Sequence, residues 1–414
     1  MAFHLFAPCP RGLEAPLAAE LRELTAHAPG LVVGEQGPGG VHFRGDLNAA
    51  AAANLHSRIA SRILLRLGHG AYRNEDDVYA LAREQRWEDW FDARCTLRVD
   101  VTAIKSPLRS LEFATLRVKD AICDRLRELT GARPDIDTAT PDVRVFVFLT
   151  ANHCTLYLDT SGEPLFKRGW RLDKGAAPLR ENLAAGILRL SGWTPGTPLY
   201  DPMCGSGTFL AEAAQIALGV PSGSDRHFAF EKFKTHDAKA WRLQQDAALD
   251  ARDAAAARPA NAKALGIFGS DISSDMLVKA RANLARAGLP PLPLKQLDAR
   301  GMTLPVDAPG VMIVNPPYGE RIDVRGRSSG GRDDDDGSAH ARSLPEAPDE
   351  AFYLDFGSAL KKQFVGWRAF ILTPDRLLPR QLRLREAQKT PLFNGAIECR
   401  LFRFDMFRGS ADAQ

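Results

Sequence analysis

Residues 197–219, TPLYDPMCGSGTFLAEAAQIALG, decide the fold. A short apolar run ends at Asp201, a loop of Pro202, Met203, Cys204, Gly205, Ser206 and Gly207 follows, and from Thr208 the residues suit a buried helix. Strand, glycine turn and helix in that order make one βα unit. Gly205 and Gly207 allow dihedrals closed to other residues and let the backbone approach a ligand closely. The helix N-terminus behind them offers N–H groups and a partial positive charge, suited to an anionic or carboxylate-bearing ligand. The loop is not G-x-x-x-x-G-K-[ST], which argues against a nucleoside-triphosphate site. Nor is it G-x-G-x-x-G, because Leu210 stands where a third glycine would be.

Two similar units lie downstream. ALGIFGSD (264–271) precedes the helical SSDMLVKARANLARAG (273–288), and VMIVNPPYG (311–319) is a buried strand ending in a proline loop. Strands alternating with helices predict a parallel doubly wound α/β sheet whose ligands sit beyond the carboxyl ends of the strands. Asp271, followed by Ile272, ends the second strand, where an acidic residue is placed to accept from ribose hydroxyls. Asp298, after LPLKQL (292–297), either accepts from an adenine amine or caps a helix.

Asn315-Pro316-Pro317-Tyr318 carries the most specific chemistry. Two prolines stiffen the bend, remove two donors and leave carbonyls pointing outward. Tyr318 offers a flat face on which a base can stack. An exocyclic amine on a base is a poor nucleophile because its lone pair is delocalised into the ring. Two fixed acceptors, the Asn315 oxygen and the Pro316 carbonyl, would hold both its hydrogens and favour a pyramidal nitrogen. Pyrimidine C5 methylation needs a cysteine nucleophile, and no cysteine lies between 311 and 321.

Upstream, residues 1–66 read as a small α/β unit: strand FHLFAP (3–8), helix GLEAPLAAELRELTA (12–26), strand GGVHFRG (39–45). NLHSRIASRILLRLG (54–68) predicts an amphipathic helix with Ile59, Ile63 and Leu67 on one stripe. Arg58, Arg62 and Arg66 would form a second stripe, either a solvated face or a row of phosphate contacts. From 72 to 160 the order becomes helix, strand, helix, strand, strand. There ATLRVKDAICDRLRELTG (114–131) is a helix capped by Gly131, and VRVFVFLT with HCTLYLDTSG (143–162) is a hairpin. Residues 324–350 are rich in Gly, Ser and Asp and lack an apolar period, which predicts a disordered insertion rather than a metal site.

A length of 414 residues fits two or three domains, and 45% hydrophobic with 25% charged residues excludes a wholly disordered or fibrous chain. No stretch approaches the roughly 18 apolar residues of a membrane span, and the start lacks the pattern of a secretory signal. Six scattered cysteines without a C-x-x-C pair fit a reducing cytosol and predict no zinc site. The net charge of +3 decides nothing, but residues 361–414 hold 11 basic against 5 acidic side chains.

DPMCGSGTFLAEAA (201–214) with NPPYGER (315–321) resembles class I S-adenosylmethionine-dependent methyltransferases of the amino-group type. More narrowly, SGEPLFKRGWR (161–171) and APLRENLAAGIL (177–188) with that loop resemble bacterial 23S rRNA guanine-N2 methyltransferases that carry a THUMP domain. The likeness extends through LRVKDAICDRLRE (116–128), PDVRVFVFL (141–149) and FNGAIECRLFRFDM (393–406). It implies a Rossmann-like methyltransferase domain at 161–414, after an α+β ferredoxin-like domain at 1–66 and an RNA-binding THUMP domain at 67–160. S-adenosyl-L-methionine would face Asp201, Pro202, Cys204, Gly205, Ser206, Gly207, Thr208, Asp271, Ile272 and Asp298. Asn315, Pro316, Pro317 and Tyr318 would hold the target guanine.

The partner implied is 23S rRNA or a precursor large ribosomal subunit in the cytoplasm, with guanine 2445 in the customary numbering as the target. Two alternatives share these elements: a THUMP-type tRNA guanine-N2 methyltransferase, and an RNA-binding or unwinding factor with a vestigial site. In many Gram-negative bacteria the related enzymes are fused to a second methyltransferase making 7-methylguanine. The sequence has no second glycine loop, so that activity is expected to be absent.

Overall fold

The computed structural model describes residues 2–172, 179–257, 265–317 and 350–407, and two seven-stranded sheets organise them. The N-terminal half holds β1 (Phe3–Pro8), α1 (Glu14–Glu23), β2 (Val32–Gly37), β3 (Gly40–Gly45), α2 (Leu47–His56) and β4 (Leu64–Ala71). It continues with α3 (Glu75–Glu84), β5 (Leu97–Ala103), α4 (Leu111–Thr130), β6 (Val143–Leu149) and β7 (His153–Asp159). Its sheet runs β2-β3-β1-β4-β7-β6-β5, antiparallel except for the parallel β5–β6 pair. The expected boundary at residue 66 falls inside β4, which pairs with β1 on one side and β7 on the other. Gly131 closes α4 in the left-handed region at φ 75°, where a side chain would be strained.

The stretch 54–68 is not one helix. α2 stops at His56, and the chain turns extended at Ser57 before entering β4. The cause is a tertiary partner. The buried carboxylate of Glu20 on α1 accepts from Ser57 Oγ at 2.6 Å, Arg58 N at 2.9 Å and Ile59 N at 3.3 Å. Amides that would have continued the helix are taken from another element, so the four-residue arginine spacing never becomes a stripe. Arg62 pairs with fully buried Asp159 at 2.5 Å, and Arg66 lies within β4.

The C-terminal half holds α5 (Glu181–Leu190), β8 (Leu199–Asp201), α6 (Thr208–Leu218), α7 (Ala238–Ala256), β9 (Ile267–Asp271), α8 (Ser274–Arg286), β10 (Leu294–Gln296) and β11 (Val311–Val314). α9 (Glu350–Gln363), β12 (Arg368–Thr373), the short α10 (Leu378–Gln381), β13 (Gln388–Asn394) and β14 (Ile397–Asp405) complete it. The order is β10-β9-β8-β11-β12-β14-β13. The sheet is parallel from β10 to β12, as the sequence predicts, but β14 runs antiparallel to both its neighbours. Beyond the strands read from the sequence, β13 and β14 form a hairpin around Gly395, at φ 63°, and no crossover helix separates them. Every residue of β11 is buried, as in a parallel strand covered on both faces. Residues 324–349 of the expected insertion lie outside the described residues, while Glu350 opens α9.

Candidate active site

Because β10, β9, β8 and β11 are parallel neighbours, their carboxyl ends share one edge of the sheet. The loop after β8, Asp271 at the end of β9, Asp298 after β10 and Asn315, Pro316 and Pro317 after β11 therefore come together. Tyr318 lies outside the described residues. The strand order turns back between β8 and β11, the position at which open α/β sheets bind their ligands.

The loop is held by its own backbone. Gly207 N donates to the Cys204 carbonyl at 2.8 Å, and Cys204 N to the Ser270 carbonyl at 2.9 Å. Gly205 N donates to Asp271 Oδ2 at 2.9 Å, joining the loop to the next strand end, while Asp271 Oδ1 accepts from Ser273 N at 2.9 Å. Gly205 and Gly207 have φ of 52° and 85°, and a Cβ on Gly207 would stand 3.2 Å from the Ala280 Cβ on α8. Gly207 is the N-cap of α6 and, having no side chain, leaves the first turn without a side-chain acceptor. That suits an external carboxylate or anion.

Electrostatics separate the acidic groups. Burial pushes the Asp201 carboxyl well above the usual carboxylate range, and nearby Asp271 adds to this; Met203 N donates to its Oδ1 at 3.1 Å. Burial likewise pushes the Cys204 thiol well above its ordinary value, so this cysteine is a thiol rather than a nucleophilic thiolate. Asp298 is held below the usual range chiefly by Arg300, whose Nη2 lies 2.6 Å away. It also caps the turn at 299–301 by accepting from Arg300 N at 2.8 Å. Ile272, beside Asp271, is 65% exposed.

Sequence reasoning passed over the supports. Asn283, fully buried on α8, donates from Nδ2 to the Ser206 carbonyl at 3.0 Å. Its signal was an asparagine inside a helix, where it is a poor helix former. Gly269 on β9 lets α6 pack close, since a Cβ there would lie 2.5 Å from Leu210 Cδ1. The Tyr200 hydroxyl meets Ser270 Oγ at 2.6 Å beneath the loop. A cleft of about 710 Å³ between α1, α5 and α7 lies apart, and none of the site residues lines it. Among the described residues no cluster of His, Cys, Asp or Glu is arranged to hold a metal, and no helix is long and apolar enough to cross a membrane.

Counted from β8 as the first strand, the sheet order is 3-2-1-4-5-7-6 with the seventh strand antiparallel, and the glycine loop follows strand 1. This arrangement is that of a class I methyltransferase. Residues 168–329 match the RMKL-like methyltransferase domain, 72–159 the THUMP domain and 4–64 the RlmL ferredoxin-like domain. The chain thus carries an RMKL-like methyltransferase domain together with a THUMP domain and an RlmL ferredoxin-like domain.

Ribosomal RNA large subunit methyltransferase K/L of Aeromonas hydrophila is 36% identical over 99% of this chain and 55% of its own length. That of Psychromonas ingrahamii is 36% identical over 95% of this chain and 49% of its own. The chain thus spans about half the length of the curated relatives it matches. The crystal structure of SMU.472 complexed with SAH superposes with a TM-score of 0.81, at 29% identity over 99% of each chain. TrmN from Thermus thermophilus, with a TM-score of 0.63 and 21% identity over 98% of this chain and 100% of its own, shares the fold.

Proposed function

We propose that this chain transfers a methyl group from S-adenosyl-L-methionine to the exocyclic N2 amine of a guanine in 23S rRNA, guanine 2445 in the customary numbering, in the cytoplasm. The observation that carries the reading is the direct lock between the glycine loop and Asp271, one strand away from Asn315-Pro316-Pro317. In this reading residues 1–66 and 67–160 grip RNA, and 161–414 performs the chemistry.

The residues fit the cofactor. The open first turn of α6 would take its carboxylate, and Pro202, Cys204, Ser206 and Thr208 would shape the loop around it. Asp271 retains acceptor capacity on both oxygens for ribose hydroxyls, because each takes a single N–H among several acceptor sites. Ile272 would cover one face of the adenine and Asp298 would accept from its amine. The cofactor supplies an electrophilic methyl group on a sulfonium. The Asn315 side-chain oxygen and the Pro316 carbonyl would each accept one hydrogen of the guanine amine, leaving its lone pair directed at the methyl carbon, while Pro317 stiffens the bend and Tyr318 stacks on the base. One amine proton then leaves for solvent. Catalysis is therefore positioning and electrostatics, with no strong base.

Mass-spectrometric mapping of 2-methylguanine in 23S rRNA and tRNA tests this. A strain lacking the gene should lose one N2-methylguanine from 23S rRNA. Loss from tRNA with 23S unchanged would overturn the assignment.

A further inference from the structure

Arg58 lies two residues beyond α2 in the N-terminal half, yet its side chain lies along α6 of the methyltransferase half. Nη1 donates to Glu212 Oε2 at 3.2 Å and to Gln215 Oε1 at 3.4 Å, and Nη2 donates to the Val220 carbonyl just beyond the helix end. One guanidinium therefore spans two turns of α6 and meets the negative end of its dipole. Glu212 is fully buried, and its other oxygen takes Arg168 Nε at 3.2 Å. Arg168 comes from the segment between β7 and α5, and it also donates to the carbonyls of Leu165 and Arg58. Buried charges are tolerated only when paired in good geometry, so this triad favours one placement of the parts it joins. α6 is the helix that begins at the glycine loop, with Glu212 one turn from Thr208. Arg171 adds a second hold, with Nη1 3.4 Å from Thr208 Oγ1 and Nε 2.9 Å from Glu181 Oε1.

We propose that Arg58, acting through Glu212 and Arg168, is a positioning residue that locks the cofactor helix to the N-terminal half, so that RNA gripped there presents its base in register with the methyl donor. This rests on the methyl-transfer reading above. It also replaces the phosphate-contact role, because the Arg58 guanidinium is already engaged by three groups at α6.

The test is Arg58→Met, which keeps the aliphatic bulk and leaves Glu212 paired with Arg168. Affinity for S-adenosylmethionine and for rRNA, and the KM for rRNA, should match the unmodified protein. The kcat should fall roughly 10- to 100-fold, since a misplacement of about 1 Å far from the chemistry can cost 10². Hydrogen exchange across Thr208–Leu218 should rise without RNA present. Arg58→Lys, which keeps the charge but lacks the planar fork, should fold and recover only part of the rate. Unchanged kcat and exchange in Arg58→Met would overturn the proposal. So would weakened RNA affinity with a flatter salt dependence, which would return Arg58 to phosphate binding. If the unmodified protein methylates no RNA, the functional reading fails by itself, and the exchange measurement still judges the lock.

Discussion

Around the junction between the two halves, buried carboxylates meet guanidinium groups: Asp159 takes Arg62 within the N-terminal half, Glu181 takes Arg171 within the C-terminal half, and Glu212 takes Arg168 and, across the junction, Arg58. At the carboxyl edge of the catalytic sheet Asp298 also pairs with a guanidinium, that of Arg300, but Asp201 and Asp271 meet backbone amides instead. Asp201 accepts from Met203 N, and Asp271 from Gly205 N and Ser273 N. A guanidinium neutralises its carboxylate and fixes it with directed donors. A single amide on each oxygen of Asp271 leaves lone pairs to spare. The contrast separates two uses of an acid: Glu212, paired with arginines, joins the halves, and Asp271, held by amides, keeps lone pairs for a ligand.

The largest effect expected at the catalytic edge is that of Asn315→Ala. Methyl transfer should fall by about 10² or more, the scale of losing one preorganised polar contact, with cofactor affinity nearly unchanged in calorimetry. A variant keeping more than a tenth of the rate would break the assignment. Gly207→Val comes next. Its left-handed backbone and the nearby Ala280 should cost about 1–3 kcal/mol, read as up to roughly 100-fold weaker cofactor binding. Unchanged affinity would show that the loop is not the cofactor site.

Asp201 sharpens the comparison through pH. Its buried carboxyl has a raised folded-state pKa, so its contribution favours the fold below the ordinary carboxylate range and is lost as pH rises through the folded value. Asp201→Asn should therefore melt above the parent at neutral pH, with the gap closing toward acid. A gap independent of pH would remove the amide-held acid from the account. The smallest effect concerns Arg376 and Arg380, exposed in the segment that leaves the carboxyl end of β12. If they contact phosphate, each change to glutamine flattens the dependence of log affinity on log salt by about 0.7–0.9. Arg62→Gln should leave that slope untouched, since its guanidinium is engaged by Asp159 and the Gly162 carbonyl.

What the sequence made legible was local. The loop at 201–207 and the buried strand 311–314 announce themselves through glycine, proline and apolar runs whose conformations depend on near neighbours. The stretch 54–68 did not, because its fate rests on Glu20, 37 to 39 residues away, and no periodicity within the window reports that partner. The antiparallel β14 escaped for the same reason: strand direction is set by which neighbour it pairs with. Asn283 and Gly269 were visible as oddities in a helix and a strand, but their function appears only once α8 and α6 close over the loop.

β4 has a consequence for recombination. It exchanges hydrogen bonds with β1 and with β7, so the ferredoxin-like and THUMP segments are stitched through a shared strand. A chimera spliced near residue 66 would cut that strand and strand-pair neither parent's remainder correctly. Grafting this N-terminal half onto a different catalytic domain requires the seam to fall beyond Asp159, and Arg58 must then find a carboxylate in its new host.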